Sequence, residues 1–249
     1  MSDNVYTGFL SSIYEYSPYL GKDRFSLIEF YTDGLRGVDS LLELGSSAGI
    51  LTIPLAKLGY MVDTLDFTID MHDVIREKLS HYCSGVARNI QFILADVRTY
   101  VPKKKYDAVI MPENFLLAHD TYDIQKSILR MCYTALETGG VLMFDVFYPV
   151  TDAIVGDKIS DTTRFRAKND TYILNVIHSI DVNVQHHTCK LNYKKRADKN
   201  SFTSVANVDI TYRYLYKEQI IRALREIGFT KICMFDIFEG KSMFFLVRK

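Results

Sequence analysis

Hydrophobic residues recur along this chain with two periods, short apolar runs bounded by turn residues and longer stretches with an apolar side chain every third or fourth position. The first kind reads as strand at residues 41–45, 60–66, 90–95 and 106–111, and again at 140–147 after a Gly139-Gly140 stop. The second kind reads as helix at residues 49–58, 70–83 and 121–137, so strands and helices alternate. Such alternation predicts a parallel sheet with helices on both faces, because each crossover must travel the length of the sheet.

Beyond Pro149 the texture changes. Residues 171–214 alternate apolar and polar positions in three runs, most clearly at Val208, Ile210, Tyr212 and Tyr214, which predicts an antiparallel meander. A helix over 217–227 ends at Gly228-Phe229, and two last runs, 232–238 and 243–247, flank a turn at Glu239-Gly240-Lys241. They predict a closing antiparallel hairpin on the parallel sheet. Residues 1–37, with Tyr6, Tyr14, Tyr16, Tyr19 and Tyr31, precede the first strand and predict a cap. The expected organisation over residues 1–249 is a single domain. It has a cap at 1–37, a ligand-binding core at 38–149, an antiparallel lid or dimerisation insertion at 150–215, and a helix and hairpin at 216–249 completing the sheet.

Composition narrows the function classes. Apolar residues make up 48% and charged residues 24%, an ordinary globular balance. Thirty basic residues offset thirty acidic ones, which removes the electrostatic footprint of a nucleic-acid partner, and Lys103-Lys104-Lys105 reads as a solvated turn. No apolar run approaches the roughly 18 to 20 residues needed to span a bilayer, and the N-terminus is polar and acidic, so no membrane partner and a cytoplasmic protein are expected. Cys83, Cys132, Cys189 and Cys233 lie far apart and read as buried reduced thiols. His186 and His187 are neighbours, and neighbours on a strand point to opposite faces, so no metal site is expected.

The chemistry concentrates at strand ends. Gly45-Ser46-Ser47-Ala48-Gly49 follows the first strand and opens a helix, where small residues and free amides suit an adenosine-containing cofactor. Asp66 ends the second strand and can grip a ribose diol; Asp96 follows the third. Singly, each aspartate reads as well as a helix cap or turn acid as it does as a ligand-binding residue; together, after a glycine turn, they favour a ligand. The dinucleotide pattern G-x-G-x-x-G is absent, which argues against a nicotinamide enzyme. Past the fourth strand, His119 reads as a base or as a surface histidine opening a helix with Asp120, while Glu113 and Asn114 either meet an acceptor amine or cap a turn. Asp145, inside the fifth strand, is structural or substrate-facing. Tyr6, Phe9, Tyr148, Phe165, Tyr212 and Tyr214 line an acceptor pocket or pack as core.

In this order, the turn, the two acids, the Gly139-Gly140 pair and the closing hairpin make residues 41–247 resemble the class I S-adenosylmethionine-dependent methyltransferases. The chain is most similar to small-molecule and sugar-amine N-methyltransferases, which share a tyrosine-rich cap and an insertion after strand five. Residues 111–119 are also similar to enzymes that methylate the N-terminal amine of a modified peptide. The resemblance implies a Rossmann-like α/β fold with a seven-stranded, mostly parallel sheet. It implies S-adenosylmethionine as methyl donor and S-adenosylhomocysteine as product. Glu43, Gly45, Ser46 and Gly49 would line the methionine moiety and Asp66 would hold the ribose hydroxyls. Phe67 would pack on adenine, and Asp96 would accept a hydrogen bond from its amino group, with the Val97 amide nearby. Met111 and Pro112 would face the methionine end, Tyr14 would close over the sulfonium, and Glu113, Asn114 and His119 would meet the acceptor, with His119 and Tyr14 as the catalytic pair.

One position departs from the family, since Ser47 stands where glycine is usual. If the turn demands a positive φ there, a serine costs about 1 kcal/mol. The implied function is N-methylation of a small molecule or modified peptide in secondary metabolism, by a protein that could form a homodimer. O-methylation of a hydroxylated metabolite and a non-catalytic scaffold or regulator are the alternatives.

Overall fold

A computed structural model describes residues 6–18, 24–82, 84–147, 159–199, 201–236 and 242–249. Tyr19, Cys83, Tyr148, Pro149 and the turn at 239–241 lie outside these residues. The parallel strands are β1 (Ser40–Leu44), β2 (Met61–Asp66), β3 (Ile90–Leu94), β4 (Tyr106–Met111) and β5 (Leu136–Phe147). With the antiparallel pair β10 (Ile232–Asp236) and β11 (Ser242–Arg248) they form a seven-stranded sheet in the order β10-β11-β5-β4-β1-β2-β3. The order reverses between β1 and β4, and open α/β sheets bind ligands at that switch, outside the strand C-termini.

Side chains alternate between the two faces, and each face is covered. Leu41, Ala108, Ile110, Val141 and Met143 pack under α2 (Arg24–Gly34), α3 (Thr52–Lys57) and α4 (Ile69–Leu79). Leu42, Leu44, Val109, Met111, Leu142 and Phe144 pack under α6 (Tyr122–Ala135) and α7 (Lys217–Ile227). Burial on both faces is why these strands read as continuous apolar runs. Among the described residues there are also two short α-helices, α1 (Phe9–Ile13) in the cap and α5 (Ser84–Arg88) before β3. Thr121, whose hydroxyl accepts from the Ile124 amide at 3.3 Å, caps α6.

Several boundaries differ from expectation. The helix expected over 70–83 ends earlier, at Leu79, and α5 is a separate short helix beyond it. Gly139-Gly140 does not stop a helix before a strand: α6 runs straight into β5 at Leu136. Gly139, at φ 81°, sits in an irregularity where β5 pairs with β4. The insertion holds four strands instead of three, β6 (Ile159–Ala167), β7 (Asp170–Asp181), β8 (His186–Arg196) and β9 (Phe202–Arg213), each antiparallel to the next. Strand β6 escaped the sequence reading because it is an edge strand, nearly all exposed, whose Ser-Asp-Thr-Thr-Arg run lacks apolar alternation. Cys233 is exposed, not buried; Cys132 and Cys189 are buried.

The insertion packs its inner face on the cap. Phe9 meets Tyr172 and Tyr193, with ring centres 5.8 and 6.5 Å away, and Ser17 hydrogen-bonds the Tyr193 hydroxyl at 3.0 Å. Tyr6 and Tyr14 of the cap and Tyr212 of the insertion line one pocket with Gly45, Asp66 and Pro112, at or just past the ends of β1, β2 and β4, and Lys78 of α4 is bonded to Glu15 and to the Ala48 carbonyl. Among the described residues, no helix is long and apolar enough to cross a membrane.

Candidate functional site

The turn after β1 is held open from below. Glu43, pointing to the α3 side of the sheet, accepts hydrogen bonds from the hydroxyls of Thr52 at 2.5 Å and Thr64 at 3.0 Å, and burial lifts its carboxyl to about 8. It therefore supports the turn from underneath and does not line the pocket. Gly45 takes φ 78°, and the Phe115 ring lies directly on it; a Cβ there would stand 2.3 Å from the ring. Ser47 does adopt the left-handed conformation, φ 47°, so the strain expected of a serine at this position is present. Its amide donates to Asp66 Oδ2 at 3.3 Å, and its hydroxyl donates to the Tyr14 hydroxyl at 3.1 Å.

That hydroxyl gives the serine a purpose that glycine lacks, because it ties the cap tyrosine to the turn. Ser47→Ala is expected to lose about 1 kcal/mol in urea unfolding, keeping the strain and dropping the bond. Ser47→Gly should lose less, since glycine removes the strain.

The pocket lies above this turn. Its walls include Tyr6, Tyr14, Gly45, Ser47, Asp66, Phe67, Asp96, Val97, Arg98, Pro112, Glu113, Phe115, His119 and Tyr212. Of the residues expected here, Glu43, Ser46, Gly49, Met111 and Asn114 are not in its walls. Ser46 donates its hydroxyl to Asp66 at 3.4 Å, Gly49 packs against Ile75 and Ile53, and Met111 is fully buried beside Cys132. Leu65, Met71, Ala95 and Ala118 supply apolar wall that no single residue signal announced. Arg98, Thr68 and Phe115 were also missed; only their adjacency to Asp96, Asp66 and Glu113 marks them in sequence.

Asp66 is nearly buried at the end of β2, and its carboxylate also accepts the Thr68 amide at 3.0 Å. Burial raises its pKa against these hydrogen bonds. Asp96 is held otherwise, since the Arg98 guanidinium donates to both its oxygens at 2.5–2.9 Å and holds the carboxyl below its usual range.

On the opposite wall, the Asn114 and Glu113 backbones take φ 62° and 56°, a strained pair for side chains that are not glycine. Asp145 imposes it: fully buried in β5, it accepts the Glu113 amide at 2.8 Å, the Asn114 amide at 3.0 Å and the Tyr31 hydroxyl at 3.1 Å. Asp145 is thus a clamp beneath the wall. The turn presents the Glu113 carboxylate to the Tyr14 hydroxyl, which donates to it at 3.4 Å.

His119 is neither at the surface nor at a helix start, because α6 begins three residues later. It is buried edge-on to Phe115, with ring centres 5.3 Å apart, and its Nε2 has no hydrogen-bond partner. Burial, with Arg98 nearby, pushes its pKa down to about 4. The folded state thus binds its proton later than the unfolded chain, so stability falls as pH drops from about 6.5 toward 4. Urea midpoints measured across that window are expected to fall less steeply for His119→Gln than for the unmodified chain.

These residues fit an adenosyl group. Among the pocket walls, Asp66 offers carboxylate acceptors, Phe67 an exposed ring, Val97 and Ala95 apolar surface, and His119 a buried nitrogen without a hydrogen-bond partner.

Residues 41–140 match the family model described as a methyltransferase domain. The chain is 30% identical over 122 residues to malonyl-[acyl-carrier protein] O-methyltransferase 1 of Ilyobacter polytropus, a match covering 48% of this chain and 42% of that protein. The chain thus spans less than half the length of this curated relative. Two solved structures share the fold over their whole length. The CcbJ methyltransferase of Streptomyces caelestis has 17% identity and a TM-score of 0.79, covering 100% of this chain and 99% of that one. CalS10, an amino pentose methyltransferase from Micromonospora echinaspora, has 14% identity and a TM-score of 0.75, with 100% of both chains covered.

Proposed function

We propose that this chain, which carries a methyltransferase domain on the class I fold, transfers a methyl group from S-adenosylmethionine to an amine of a small molecule or modified peptide. The reading rests on one observation above all, that Asp66 at the tip of β2 shares the walls of one pocket with Tyr14, Glu113 and His119. The donor supplies an electrophilic methyl on a sulfonium, and the residues supply position. Asp66 would hold the ribose hydroxyls, the 95–98 segment and Phe67 the adenine, and Tyr14 the region above the turn. Met111 and Asn114, outside the walls, would act through the backbone that carries Pro112 and Glu113.

Two features favour an amine. The Glu113 carboxylate, bonded to Tyr14 and sharing the pocket walls with the rings of Tyr6, Phe115 and Tyr212, suits a cationic group at rest. His119, with a pKa near 4, is a weak base, poorly matched to removing a hydroxyl proton near neutral pH but able to orient a neutral amine nitrogen. Orientation for in-line displacement can supply roughly 7 to 11 kcal/mol, more than one base supplies. A second reading, O-methylation, is favoured by the Ilyobacter relative, itself an O-methyltransferase, although that identity covers under half of this chain. The amine reading includes a cytoplasmic protein of secondary metabolism whose insertion closes its own pocket as a lid.

The deciding experiment incubates the chain with methyl-labelled S-adenosylmethionine and panels of amines, hydroxyls and carboxylates, following label and S-adenosylhomocysteine. Transfer to amines, slowed less than about 100-fold by His119→Ala, supports the proposal; a base essential to hydroxyl transfer would cost about 10²- to 10⁴-fold. Transfer confined to hydroxyls or carboxylates replaces it with the second reading, and no turnover beside tight donor binding replaces it with the scaffold reading.

A further inference from the structure

Strand pairing in the insertion gathers three side chains that lie far apart in sequence. His187 and Cys189, two residues apart on β8, share a face, and the register sets His178 of β7 opposite Cys189. His178 Nδ1 stands 3.0 Å from His187 Nε2, and the Cys189 sulfur stands 3.4 Å from each of these nitrogens. The three ligand atoms form a compact triangle. His186 points the other way, toward the Asp120 carbonyl, so sequence neighbours do not share a face, while cross-strand neighbours do.

We propose that His178, His187 and Cys189 bind a zinc ion on the inner face of the insertion. The donor set, two imidazoles and a thiolate, is one that zinc accepts in a tetrahedral site with an open fourth position. A circle through the three atoms has a radius of about 1.9 Å, so an ion slightly out of their plane reaches zinc–nitrogen and zinc–sulfur lengths of roughly 2.0 to 2.3 Å. The second ring nitrogen of His178 lies 3.5 Å from the largely exposed Asp161 carboxylate, a small shift away from the hydrogen bond that would fix the tautomer of a metal-bound histidine. Cys189 is fully buried and His187 lies edge-on to Phe147, with ring centres 5.3 Å apart, so little solvent competes for the site. On binding, the Cys189 thiol releases its proton to solvent and its sulfur bonds the metal. The ion would tie β7 to β8 beside Tyr212, which faces His187 across β8 and β9 and forms part of the pocket wall.

The test uses the metal-stripped full chain without a purification tag. Cobalt(II), as a spectroscopic stand-in, is expected to bind once per chain with an intense thiolate-to-cobalt charge-transfer band, displaced by zinc. Cys189→Ser should lose the band and Asp161→Asn should weaken binding roughly tenfold. If Cys189→Ser fails to fold, His178→Gln, at the partly exposed corner of the triangle, is expected to lose the site in its place. No charge-transfer band in the folded chain, or a band and affinity unchanged in these variants, overturns the proposal. S-adenosylhomocysteine binding in the same samples reports on the pocket separately, so failure of one reading is not failure of the other.

Discussion

Asp66→Ala is expected to weaken S-adenosylhomocysteine binding by at least about 100-fold in calorimetric titration. Each hydrogen bond to a charged acceptor is worth about 1.5–3 kcal/mol, and about 1.4 kcal/mol is a factor of ten. Asp66 would make two such bonds to a ribose and already accepts from Ser47, Ser46 and Thr68, so its removal also frees the turn that forms the other wall. Asp66→Asn separates these effects, since it keeps an acceptor oxygen for the turn but no negative charge; it should bind more tightly than the alanine variant and unfold at nearly the parent temperature. NAD serves as the control ligand. Adenosyl binding that survives Asp66→Ala would remove the ribose-gripping role, and a preference for NAD would return the chain to the nicotinamide reading.

The largest loss of stability should come from Asp145→Ala. Its carboxylate is fully buried and satisfies two backbone amides and the Tyr31 hydroxyl. An unpaired buried donor costs about 1–3 kcal/mol, and the Tyr31 hydroxyl keeps the Met111 carbonyl at 3.3 Å, so stranding the two part-buried amides is expected to cost about 2–4 kcal/mol in urea unfolding. Activity should fall further than stability alone accounts for. The φ values of Glu113 and Asn114 cost on the order of 1–3 kcal/mol each and persist because the clamp holds them. Asp145→Asn, with one acceptor oxygen left, should fall between. A loss below about 1 kcal/mol for the alanine variant would mean that the turn holds itself, and the clamp would be wrong.

Particular residues show how far the sequence reading reaches. The strand–turn–helix at 40–57 and the acid closing β2 are legible because each is a local rule: an apolar run, small residues in a tight turn, an aspartate at a strand end. Residues 217–227 are legible as helix for a similar reason, their amphipathic period being stopped by Gly228 at φ 116°. Strand β6 was not legible, because an edge strand needs no apolar face. Gly139-Gly140 misled because a glycine pair marks a helix end and a strand irregularity alike. The family resemblance put Glu43 at the methionine moiety, while its side chain lies on the sheet face beneath the turn, against Thr52 and Thr64.

By itself, then, the order of residues determined the alternating architecture, the seven-stranded sheet closed by an antiparallel hairpin, and the strand ends where chemistry collects. Those follow from periodicity and turn chemistry within windows of about 5 to 15 residues. Only the tertiary structure decided which side of the sheet each strand-end residue serves. It decided that Asp145 clamps the turn that presents Glu113, that Ser47 reaches Tyr14 from 33 positions away, that His119 is buried with a nitrogen unpaired, and that His178 meets His187 and Cys189. Each is a contact between segments distant in sequence, fixed by strand register and by the packing of cap and insertion on the core, and no local pattern carries that information.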